Sequence, residues 1–144
     1  MGQTIFAVKL YELEQQYEKL LSRIHLCQED SPKRLKEEIE DMSKECREER
    51  LSLARRTENS RSPAVSALSK AQLSYQRQVE KILDNELKNL LSDGQIQENQ
   101  AESKLLYAEY SIDFALLSMK EAILAAMSAV SEEKNYEKWR NDNE

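Results

Sequence analysis

Glycine and proline are nearly missing from this chain, with two of each in 144 residues. A β-rich fold needs turn residues at intervals of about 8–12 positions, so their scarcity excludes a sandwich or barrel and leaves an all-α chain. Gly2 and Gly94 cannot build a phosphate-binding loop or a dinucleotide fingerprint either. Histidine occurs once, as His25. A single imidazole cannot supply the paired Glu-x-x-His ligands of a di-iron bundle. Nor does it make a catalytic triad where no nucleophile motif stands. It reads as a partly exposed surface residue.

Cys27 and Cys46 are too few for a zinc site. In a hairpin turning near Asp30 they would be offset by about a dozen residues, roughly 18 Å along the axis, which no disulfide bridges. Both read as reduced thiols at small core positions. Positive charge is also short: the net charge of −6 disfavours nonspecific binding to nucleic acid or anionic lipid. The start, Met1-Gly2-Gln3-Thr4-Ile5-Phe6, lacks the basic and apolar regions of a leader. It departs from a myristoylation signal at Phe6, where Ser or Thr is wanted. Asp113, Lys120 and Glu121 interrupt the most apolar run, so no membrane insertion is expected and the chain is placed in the cytoplasm.

What the chain does have is helical periodicity. Alanine recurs every seventh residue at Ala101, Ala108, Ala115, Ala122 and Ala129, with Leu105, Ile112, Met119 and Ala126 between, an unbroken 4-3 seam. Leu116, Ile123 and Val130 flank it on one side, with Tyr110, Leu117 and Leu124 further round. So broad an apolar face predicts a helix surrounded by others, with the alanine row as a close helix–helix contact.

In chain order, Phe6, Leu10, Leu13, Tyr17, Leu20, Ile24 and Cys27 predict a first helix over 4–27 with a narrow seam. Ser31-Pro32 supplies an N-cap and a first-turn proline. It opens a second helix to about residue 56, with Leu35, Ile39, Met42, Cys46 and Leu53 on its seam and Glu49 interrupting it. Ser62-Pro63 repeats the start signal for a third helix over 63–91, carrying Val65, Leu68, Tyr75, Val79, Ile82, Leu83, Leu87 and Leu90. Ser92-Asp93-Gly94 ends it, and the fourth helix begins near Gln95. Beyond Val130 the sequence turns polar, with Tyr136 and Trp139 as its only large apolar groups.

Short connections predict an antiparallel up-down four-helix bundle with a long C-terminal helix, its first two helices forming the more exposed hairpin. The alternative is a helical-hairpin dimer in which the fourth helix meets its own copy. Residues 1–131 would form one bundle domain and 132–144 a polar helical extension or tail.

Three groups of side chains could carry chemistry. Glu109 and Asp113 stand one turn apart beside Tyr110, a spacing at which carboxylates can share a metal or a proton, but no second ligand motif answers them. Arg47, Arg50, Arg55, Arg56 and Arg61 cluster around the second connection with Glu45, Glu48, Glu49 and Glu58 interleaved, which reads as charge compensation rather than an anion site. Tyr136 and Trp139 either dock near Phe6 or stand exposed for a partner.

The expected function is therefore a non-enzymatic helical interaction protein: an adaptor, a scaffold or a complex subunit. It would need no cofactor and no nucleic acid, with a protein as partner, a second copy of itself as a homodimer included. Leu117, Leu124, Tyr136 and Trp139 are the candidate contacts. The alternative is a small ligand- or metal-binding bundle using Glu109, Asp113 and Tyr110.

Overall fold

The computed structural model is all-α, as the glycine and proline scarcity requires. Its helices are α1 (Gly2–Cys27), α2 (Pro32–Glu58), α3 (Pro63–Leu91) and α4 (Ile96–Asn143). The structure describes the backbone of residues 2–91 and 96–144, and side-chain surroundings for 5–86 and 98–144. The expected Ser92-Asp93-Gly94 stop lies outside the described residues.

Both Ser-Pro signals start helices. Ser31 keeps an extended backbone (φ −66°, ψ 156°), and its Oγ accepts from the Arg34 N–H at 3.2 Å. Pro32, lacking an N–H, fills the first turn where that donor would have no partner. The device recurs at Ser62, whose Oγ accepts from the Val65 N–H at 3.3 Å. Pairs at helical spacing, Arg34 with the half-buried Glu38 at 3.3 Å and Lys44 with Glu48 at 4.0 Å, brace the polar face of α2.

By packing the chain divides into two units, residues 1–25 with 102–144, and residues 26–101. In the second unit α3 folds back on α2. Thr57 Oγ1 lies 2.7 Å from Ser69 Oγ, and Ser66 Oγ donates to the Glu58 carbonyl at 3.2 Å. The half-buried face of α3 runs through Ser66, Ser69, Leu73, Gln76, Val79 and Leu83. Leu68 and Ile82, expected inside, are 62% and 64% exposed, and Val65 and Tyr75 are exposed with them. The cause is the four-residue connection: it holds the helices close beside the turn, where only small side chains such as Ala54, Thr57, Ser66 and Ser69 fit between them.

In the first unit Phe6, Lys9 and Leu10 of α1 meet Ala122, Ile123, Ala125, Ala126 and Ala129 of α4 around a shallow cleft. Phe6 and Ala126 are half-buried there. The rest of the α1 seam stays exposed, from Leu13 to Ile24.

Among the described residues no side chain is fully buried. The expectation of a core along the alanine row is thereby corrected: Ala101, Ala108 and Ala115 are exposed. An alanine row permits close approach but brings little apolar area of its own. Contact forms only where Phe6 and Leu10 supply the bulk. Cys46, expected at a core position, is likewise exposed, while Cys27 is half-buried; both thiols are free.

Candidate functional site

The most conspicuous surface belongs to α4. Its 48 residues make about 72 Å of continuous helix, against about 39–44 Å for the others. The polar stretch after Val130 prolongs this helix without a break, so the alanine repeat and the two aromatics share one axis. Ser111 and Ser128 donate back to the carbonyls of Tyr107 and Leu124 at 2.8 and 3.0 Å, which satisfies each hydroxyl within the helix and leaves the surroundings apolar.

Beside the α1 contact, and sharing Ile123 with it, Leu116, Met119, Lys120, Ile123, Leu124 and Met127 line an open groove on α4. These side chains recur at steps of three and four, the spacing of one helix face. Leu124 is 62% and Met127 64% exposed. Leu117, at the edge of the same face, is exposed too. Contiguous apolar surface of this kind marks interaction sites on folded proteins.

Tyr136 and Trp139 stack on each other with ring centroids 6.1 Å apart and planes inclined by 22°. Asn143 Nδ2 donates to the Trp139 carbonyl at 2.7 Å and closes the last turn. Both rings remain about 60% exposed, so docking near Phe6 does not occur. Phe6 meets α4 at residues 122–129, which leaves Trp139 ten or more positions further on, about 15 Å away along the axis.

Glu109 and Asp113 are both exposed on α4. Among the described residues no three metal-binding side chains converge. Tyr110 turns away to stack against Phe114 at 6.2 Å. His25 is exposed in the last turn of α1. Of the five arginines only Arg50 is half-buried, and the other four are exposed. The structure thus gathers no catalytic constellation from the residues singled out in the sequence. Sequence reasoning named Leu117 and Leu124 as candidate contacts on this helix; what it missed is that Met119 and Met127 line one open groove with Leu124.

By length and composition α4 could also cross a membrane, with a most apolar eighteen-residue window of mean hydropathy 1.4. Lys120 stands in the middle of that apolar stretch. At the centre of a span it costs about 2.5–3.5 kcal/mol, and Phe114, Leu116, Leu117, Ile123, Leu124 and Val130 at about 0.3–0.6 kcal/mol each return about 2–4 kcal/mol. The two nearly cancel before Glu121 is counted.

No protein-family model matches the chain, and no characterised protein or solved structure is significantly similar to it.

Proposed function

We propose that this chain is a non-enzymatic helical interaction protein, an adaptor, scaffold or complex subunit whose working surface is α4. The observation that carries the proposal is the exposed Leu116–Met127 face, continued along the same helix by Leu117 and by the Tyr136–Trp139 stack. Such a surface costs about 25 cal/mol for each Å² left in water, and a protein partner that covers it recovers that energy. Tyrosine and tryptophan are enriched among residues that dominate binding energy, which gives the aromatic pair a natural role as an anchor. A protein partner fits better than a bilayer because Lys120 and Glu121 divide the apolar stretch.

The test is a comparison of proteins retained from cell lysate by the full chain and by two variants, Leu117→Glu/Leu124→Glu and Tyr136→Ala/Trp139→Ala. Loss of a specific partner from either variant, with helix content unchanged by circular dichroism, supports the reading. An identical set retained by all three chains removes α4 as the working surface.

A further inference from the structure

The charges on the open face of α4 are sorted by sign along the helix. At 100° per residue, thirteen positions fall within about 40° of one line: Glu98, Glu102, Leu106, Glu109, Asp113, Leu116, Lys120, Leu124, Met127, Ser131, Lys134, Lys138 and Asp142. All thirteen are exposed. The four charges of the first half are acidic, and Lys120, Lys134 and Lys138 are basic, with Asp142 in the last turn the one exception to the sorting. Lys104, Glu121, Glu132, Glu133 and Glu137 lie on other faces.

A stripe that is acidic at one end, apolar in the middle and basic at the other is complementary to itself reversed. We infer that the partner of this face is a second copy of the chain, with two α4 helices packed antiparallel about a two-fold axis between Ile123 and Leu124. The inference rests on the interaction reading above and names its partner.

One register pairs the acids with the bases and sets apolar side chains together at the axis. With the axis between residues 123 and 124, Asp113 falls opposite Lys134 of the second copy and Glu109 opposite its Lys138. Two-fold symmetry repeats both pairs at the other end. Leu124 then meets Ile123 of the second copy, Lys120 lies across Met127, and Leu116 lies across Ser131. Sliding the axis to residue 118 pairs Glu102 with Lys134 instead, but sets Met127 against Glu109 and Ile123 against Asp113. A parallel pair fares worse, since it would stack Glu109 on Glu109 and Lys134 on Lys134, and opposed like charges select against that arrangement.

Length points to the same occupant. The register overlaps residues 104–143 of both copies, about 60 Å of helix, whereas α1, α2 and α3 have 26, 27 and 29 residues. Only another α4 matches the stripe from end to end.

The experiment uses the full chain and measures mass by sedimentation over a range of concentrations, with helix content followed by circular dichroism. The unmodified chain should be a dimer. Glu109→Lys/Asp113→Lys and Lys134→Glu/Lys138→Glu, each alone, should raise the dimer dissociation constant at least about tenfold by turning four attractive pairs repulsive. The chain carrying all four substitutions should dimerise again, and an equimolar mixture of the two double variants should give the heterodimer. Recovery in the fourfold chain also shows that the double variants failed through charge and not through misfolding. A chain that is monomeric at every concentration, a dimer indifferent to either reversal, or a fourfold chain that stays dissociated overturns the inference. A monomer that still loses a lysate protein when Leu117 and Leu124 are replaced would leave the broader interaction reading standing, so the two failures are distinguishable.

Discussion

The hydroxyl pair that joins α2 to α3 offers a direct measurement of what holds that hairpin. Thr57 Oγ1 lies 2.7 Å from Ser69 Oγ and 2.9 Å from the Leu53 carbonyl. Replacing Thr57 by Val keeps the shape and removes the contact to Ser69 together with the intrahelical ones to the Leu53 and Ala54 carbonyls. Ser69→Ala removes only the one between helices and leaves Thr57 its bonds to Leu53 and Ala54. The intrahelical bonds therefore drop out of a double-mutant cycle. What remains is the coupling across the hairpin. A net protein hydrogen bond contributes about 0.5–1.5 kcal/mol. Both residues are half-buried, so water competes for the hydroxyls, and the expected coupling lies in the lower half of that range, about 0.5–1 kcal/mol. Urea unfolding followed by circular dichroism, with all four proteins at one concentration, gives the value. Coupling below about 0.3 kcal/mol, the scatter of independent sites, would show that the hydroxyl contact contributes nothing to the hairpin.

Ser31→Ala removes the side-chain cap on the Arg34 N–H and should cost about 1 kcal/mol, read from the same unfolding curves; Ser31→Gly should cost less. Ala115→Leu should change stability by less than about 0.5 kcal/mol, because Ala115 is exposed, and a loss of several times that would restore the alanine row to a core. Trp139, the chain's one tryptophan, lies off the charged stripe, so its fluorescence should be quenched by iodide in monomer and dimer alike. Strong protection in the dimer would move the interface onto the tail. Raising protein concentration should raise the melting temperature, since whatever binds only the folded chain stabilises it.

Local chemistry made the element boundaries legible. Ser31-Pro32 and Ser62-Pro63 each announced a helix start, and the same hydroxyl geometry now serves both. The packing faces were much less legible. On α3 the sequence offers an aliphatic stripe through Leu68 and Ile82 and a smaller, more polar one through Ser66 and Ser69. Periodicity identifies stripes without saying which of them meets a neighbour. The short connection decided in favour of the small one. On α4 the apolar residues go so far round that no single direction stands out, and the alanine row drew attention because of its regularity rather than its area. The same breadth hid the sorted charges. Glu109 and Asp113 read as an isolated carboxylate pair until they were set on one face with Lys134 and Lys138, about 32–44 Å away along the axis.

The absence of any fully buried side chain among the described residues bears on how this protein responds to temperature. The heat capacity of unfolding comes mainly from apolar surface newly exposed to water, about 12–15 cal/mol/K per residue for compact domains. A chain whose Ile112, Leu124 and Met127 are already more than three-fifths exposed has less such surface to give. Its free-energy curve should be flat and shallow, with a broad melting transition and little cold destabilisation, for as long as the chain stands alone. Covering α4 would add the missing heat capacity at one stroke. The curvature of stability against temperature would then report, without any label, how much of the protein is in its assembled state.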